Sequence, residues 1–251
     1  MPQTTAAASC ESCHGPAIDW IEEHNRKTIS RSARVEKGTT MGMVHPENIH
    51  MSLKACYECH VIGDEQLVNM AGHPALSDGF EILSWYSGEV KHNFLVDEWG
   101  TRKAHTEAMR AISIARQRML FLNGKLLHLS FTLKASACSS DPPVDKTGAF
   151  IRLSTGRYTY GVQHAIELNR LTKDLRMILK SVSISQFSDA SAIVRGGGLS
   201  LETGNSQELD AAAASIMRLS EKFCEENDGG SFGAVDGMIA KLKPKFGKPG
   251  E

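Results

Sequence analysis

Residues 10–14 read Cys10-Glu11-Ser12-Cys13-His14, and residues 56–60 read Cys56-Tyr57-Glu58-Cys59-His60. Each is a Cys-x-x-Cys-His pentad, the spacing of c-type haem attachment. The chemistry accounts for the spacing. Two thiols add across the two vinyl groups of one porphyrin, so they must lie about one helical turn apart. The histidine that follows then sits beneath the iron and supplies an axial nitrogen. With 6 Cys and 10 His in 251 residues, one chance pentad is expected on the order of 0.006 times. A zinc ribbon also uses Cys-x-x-Cys pairs, but it does not need a histidine directly after each. A thioredoxin-like redox centre needs one such pair in a βαβ setting. The pentads therefore predict two covalent c-type haems, held by Cys10, Cys13, His14, Cys56, Cys59 and His60.

A haem iron with one protein ligand takes a second axial group or leaves a position open. Five further histidines, His24, His45, His50, His73 and His92, crowd into the stretch that carries the pentads. That enrichment fits bis-histidine coordination, with Met41, Met43, Met51 and Met70 as the competing methionines. His73 stands on the bend Ala71-Gly72-His73-Pro74, and His92 lies in the irregular stretch Ser87–Phe94. These are the first two distal candidates, and His24 is the third. Residues 17–24 read as helix, which places His24 about 15 Å along the axis from His14. On that reading His24 serves the other haem or one outside the chain. His45 and His50 rank lower. His105, His128 and His164 fall in long helical segments and read as ordinary helix histidines.

The first 100 residues resemble a multihaem cytochrome c family related to the tetrahaem electron carriers of nitrification. The resemblance rests on CESCHGPAIDWIEEH (10–24), CYECH (56–60), LVNMAGHP (67–74) and FEILSWYSGEVKHNF (80–94). It places His24, His73 and His92 on histidine positions of the family pattern. Members often carry two more attachment motifs upstream, so the resemblance covers the later, two-haem half.

Composition sets the remaining bounds. Hydrophobic residues make up 41% and charged residues 23%, as in ordinary globular proteins, and the formal net charge is -1. Nothing in that balance calls for nucleic acid or a membrane surface as partner. No apolar run approaches the roughly 20 residues of a spanning helix. The stretch MPQTTAAAS reads as a mature start after signal removal, which fits a periplasmic or otherwise exported protein. Cys138 and Cys224 remain outside the pentads, as separate thiols or as a pair if their Cα atoms lie within roughly 7 Å.

The predicted fold is all-α. Residues 1–104 form a haem-dominated region of short helices and loops, with Trp20, Tyr57, Trp85, Tyr86 and Trp99 packed on the porphyrin edges. Residues 105–251 form a long-helix hairpin or bundle. Its predicted helices cover 105–135, with Met109, Ile112, Leu120, Leu127 and Phe131 buried, and 147–183, with a stripe of Leu168, Leu171, Leu175 and Ile178. Gly196–Gln207 is a loop whose three glycines lack the lysine and strand-to-helix setting of a phosphate loop. A further stripe joins Leu209, Ala213, Ile216, Leu219 and Phe223, ahead of a weak helix and a basic tail. The bundle covers the haem region or supports a homodimer.

The function expected from these features is electron transfer to and from redox protein partners through two bis-histidine haems. The alternative is a haem enzyme with one open iron position acting on a small nitrogen oxide, hydroxylamine or peroxide.

Overall fold

The computed structural model describes residues 10–76, 80–86, 112–140, 142–196 and 206–242. Among these residues the regular structure is helical, with three isolated β-bridges and no strand. No helix among them is long and apolar enough to cross a membrane. His92, Trp99, His105 and Met109 lie outside the described residues, as does the basic tail beyond Leu242.

One helix organises the rest. Helix α7 (Ile114–Ala137) is buried at every position from Met119 to Ser130. Its sequence has apolar residues on all faces, and a helix hydrophobic all round is stable only when covered all round. The cover comes from α4 (Ile49–His60), α8 (Tyr160–Ser181) and α10 (Ser206–Glu226). Helix α9 (Ser185–Gly196) packs against α8 and α10. At Gly124 the surface of α7 meets Tyr57 of α4 and Ile82. A Cβ there would meet Ile82 Cγ2 at 2.9 Å and the Tyr57 hydroxyl at 3.2 Å.

Several buried polar groups tie α7 to the covering helices. Ser130 Oγ donates to the Ala213 carbonyl (2.8 Å), and the Tyr160 hydroxyl donates to the Ala135 carbonyl (2.7 Å). Lys125 Nζ meets Asp174 at 2.8 Å. Ser113 caps the helix by accepting from the Arg116 amide. Residues on both sides of position 104 share one core, in which Leu53, Tyr57, Val61 and Phe80 join Leu120, Leu127, Tyr160 and Phe223.

The long helices differ from the sequence reading in extent. Helix α7 begins at Ile114, and residues 105–111 are outside the described set. Of its expected core residues, Leu120 and Leu127 are buried, while Ile112 and Phe131 are half-buried. Residues 147–159, read as helix, instead form two tight turns joined by the bridges Val144↔Phe150 and Arg152↔Tyr158. The Asp145 carboxylate accepts from the Thr147 amide and hydroxyl and from the Ala149 amide, which competes with helix formation. Helix α8 therefore starts at Tyr160, and its Leu168, Leu171, Leu175 and Ile178 stripe is buried. The α10 stripe is buried through Leu209, Ala213, Ile216 and Phe223, with Leu219 only partly covered. After it come a 3₁₀ turn (Gly233–Val235) and the short helix α11 (Asp236–Ile239). Arg118 fixes this end to α7 by gripping both Asp236 carboxylate oxygens at 2.7 and 2.6 Å.

The N-terminal region is built from short pieces: α1 (Cys10–His14), α2 (Ile21–Asn25), α3 (Arg31–Thr40), α4, α5 (Glu65–Asn69) and α6 (Ile82–Tyr86). The chain does not run as a straight helix from His14 to His24. Gly15, at φ +78°, ends α1, and a Cβ there would lie 2.7 Å from the Gly42 carbonyl oxygen. Residues 17–20 are turn, and α2 begins only at Ile21.

Candidate functional site

Both pentads are helical. The first forms α1, and the second forms the last turn of α4. Helix α1 packs against α4, so the two motifs share one neighbourhood. Cys13 and Cys56 are half-buried and Cys59 is exposed, and none of the three is in a disulfide. Burial pushes the Cys56 thiol up to about 12, with the neighbouring Cys13 and Cys59 adding to the shift. It therefore stays protonated, and its Sγ–H donates to the Ser52 carbonyl at 3.4 Å.

His14 is held by a two-point clasp. The Val44 amide donates to the His14 carbonyl at 2.9 Å, and the His14 ring bonds the Val44 carbonyl through Nδ1 at 3.0 Å. A carbonyl only accepts, so Nδ1 carries the proton, which makes Nε2 the basic nitrogen of the neutral ring. That second bond also fixes the ring orientation, as outer partners of metal-bound histidines do. Gly15 and Gly42 make the clasp possible by letting the two backbones meet.

His60 is positioned differently. Its ring lies face to face with Phe80, with centroids 4.1 Å apart and planes 6° from parallel. Burial lowers its pKa, which favours the neutral ring.

The sequence-derived distal candidates separate. The bend at Gly15 takes the chain off a straight helical path before His24. Burial lowers the His24 pKa, and the charges of Arg34, His14 and Arg31 act in the same direction. Its Nδ1 is buried without a hydrogen-bond partner, and its ring stands edge-on to Trp20 at 5.8 Å. The distance along a straight helix thus does not apply to this pair. His73 is exposed on its bend, where Nδ1 donates to the Pro74 carbonyl at 2.8 Å. His92 lies outside the described residues.

The lower-ranked histidines divide as well. His45 follows Val44, is buried and feels the charges of His24 and His14, so three histidines gather near the first motif. The Glu47 amide donates to its Nδ1 at 3.4 Å. His50 sits at the far end of α4 from His60, about 15 Å along the axis. It is committed to the core, where its Nδ1 bonds Ser220 Oγ at 2.9 Å and Ser220 donates to Asn123 Oδ1 at 2.7 Å. His128 and His164 are buried core residues.

Cys138 caps the C-terminal end of α7, while Cys224 shares a cleft with Ser113, Ala115 and Arg116 at its other end. A 24-residue helix is about 36 Å long. The two cysteines are separate thiols, Cys138 exposed and Cys224 half-buried. Trp20 is buried, and Tyr57 faces α7, packed against His128 and Phe131. The side chains of Trp85 and Tyr86 are outside the described set.

Sequence reasoning missed two groups at this site. The Val44 carbonyl carries no side-chain signal. Phe80 is remote from both pentads in sequence, and no spacing rule pairs it with His60. Neither a family model, nor a curated protein, nor a solved structure matches this chain.

Proposed function

We propose that this chain is a c-type dihaem cytochrome that transfers electrons outside the cytoplasmic membrane. Cys10, Cys13 and His14 would hold one haem, and Cys56, Cys59 and His60 the other. The observation that carries this reading is the state of the first motif. Its cysteines and histidine lie on one short helix, and the His14 ring is locked through Nδ1 by the Val44 carbonyl. The haems supply reversible one-electron chemistry at iron. The residues do the rest. Val44 fixes His14, Phe80 fixes His60, and burial keeps His24 and His60 neutral.

The buried, unpartnered Nδ1 of His24 supports His24 as a candidate for a further ligand position. His92 and His73 are the ligand candidates for the second motif. Contact between α1 and α4 keeps the two centres near each other, which favours fast exchange between them and with redox protein partners.

Absorption and paramagnetic resonance spectra of both oxidation states test the reading. Two low-spin haems that do not bind carbon monoxide are expected. A high-spin signal with rapid carbon monoxide binding would instead favour an enzyme with an open iron position.

A further inference from the structure

We propose that Phe80 is a positioning residue for His60, and that through it the helical bundle sets the orientation of the axial ligand at the second motif. This rests on the reading of Cys56–His60 as a haem attachment site.

An unbroken series of ring contacts links His60 to α7. The His60 ring lies parallel to Phe80, 4.1 Å away and tilted by 6°. Phe80 stands edge-on to Tyr57, at 5.2 Å and 86°. Tyr57 in turn packs on two residues of α7, His128 at 5.1 Å and Phe131 at 6.4 Å. Phe80, Tyr57 and His128 are each at most 4% exposed. The stack therefore runs from the central helix to the histidine without crossing solvent.

An imidazole bound through one nitrogen is free to rotate about that bond unless a neighbour holds its plane. At His14 a directional hydrogen bond does this. At His60 the flat face of Phe80 does it, and Phe80 is immobilised by the core. Close packing transmits the position of one buried ring to the next, because an interior at crystal density leaves no slack. In low-spin ferric iron, the ligand plane sets the splitting of the iron orbitals, and with it the g values. Bundle packing thus reaches the second centre and leaves the first to the Val44 clasp.

The test uses the full-length holoprotein with Phe80→Leu, which keeps apolar volume but removes the flat face, and Phe80→Tyr, which keeps the face. Intact mass first establishes that both haems are attached. Phe80→Leu is expected to shift one of two low-spin resonance signals and one of two midpoint potentials. Phe80→Tyr is expected to return both to the wild-type values. Overturning results are wild-type spectra in Phe80→Leu, equal shifts in both signals, or a Tyr variant displaced as far as the Leu variant. Should Phe80→Leu not fold, the wild-type ferrous protein, which is diamagnetic when low-spin, provides a second measurement. Proton NMR should show cross-relaxation between the ring protons of His60 and Phe80, and its absence overturns the proposal. A wild-type mass without haem overturns both the proposal and the reading beneath it, whereas two haems with unshifted signals overturn the proposal alone.

Discussion

His14 and His60 occupy the same place in their motifs but are held by different forces, a hydrogen bond to Val44 and a stack on Phe80. His24 follows a bend made by Gly15 and does not continue the helix of the first motif. Replacing His24 with Ala is expected to convert one haem to high spin in the resonance spectrum, leaving the other unchanged. An unaltered low-spin spectrum would assign the sixth position to another histidine. A second residue-scale effect concerns His164. Burial pushes its pKa down to about 4, while its Nε2 bonds the Ile62 carbonyl at 3.1 Å. The unfolded chain, with its histidine near 6.5, therefore binds more protons than the folded one between these values. The contribution is complete above about pH 6.5 and is lost as pH falls toward about 4, amounting to about 3 kcal/mol. Denaturant midpoints measured from pH 7 to pH 4 should fall, and His164→Gln should flatten that slope.

At the scale of elements, α7 determines what can be changed. Gly124 admits Ile82 and Tyr57 to its surface, so Gly124→Ala forces a fully buried contact apart. It should lower stability by about 1–3 kcal/mol, seen as a reduced thermal midpoint. Leu126→Ala, at a position with no exposed area, should cost about 2–5 kcal/mol by the same measurement. The long elements were legible in sequence where apolar residues recur with helical period, as at Leu168, Leu171, Leu175 and Ile178. They were misread where side-chain chemistry overrides composition. Asp145 organises a turn that a periodicity count cannot detect, and the Thr147-Gly148 and Thr155-Gly156 pairs were the available signals. The path from His14 to His24 was misread for a similar reason, since Gly15-Pro16 breaks the helix before the apolar pattern resumes. The pentads themselves were fully legible. Their supports were not, because a backbone carbonyl and a ring distant in sequence leave no local pattern.

For the whole molecule, the short N-terminal helices and the long C-terminal ones share a core, and α4 belongs to both the site and the bundle. A polar network ties α7 to α8. Lys125 pairs with Asp174 at 2.8 Å, Arg170 bridges Asp174 and Glu167, and His128 Nε2 lies 3.2 Å from Glu167 without the alignment of a hydrogen bond. Asp174→Ala would leave the largely buried Lys125 unpaired, and should cost about 3 kcal/mol by chemical denaturation. The loss should change little with added salt, because buried pairs are weakly screened. Through Tyr57 and Phe80 the same bundle bears on His60, which would give the long helices a part in the proposed redox site.

Intact-protein mass spectrometry tests the central claim most directly, on protein purified from a host with a c-type cytochrome maturation apparatus. The chain should carry the added mass of two haems, falling to one in Cys56→Ala/Cys59→Ala. An unmodified chain mass under conditions that mature other c-type cytochromes would contradict the account.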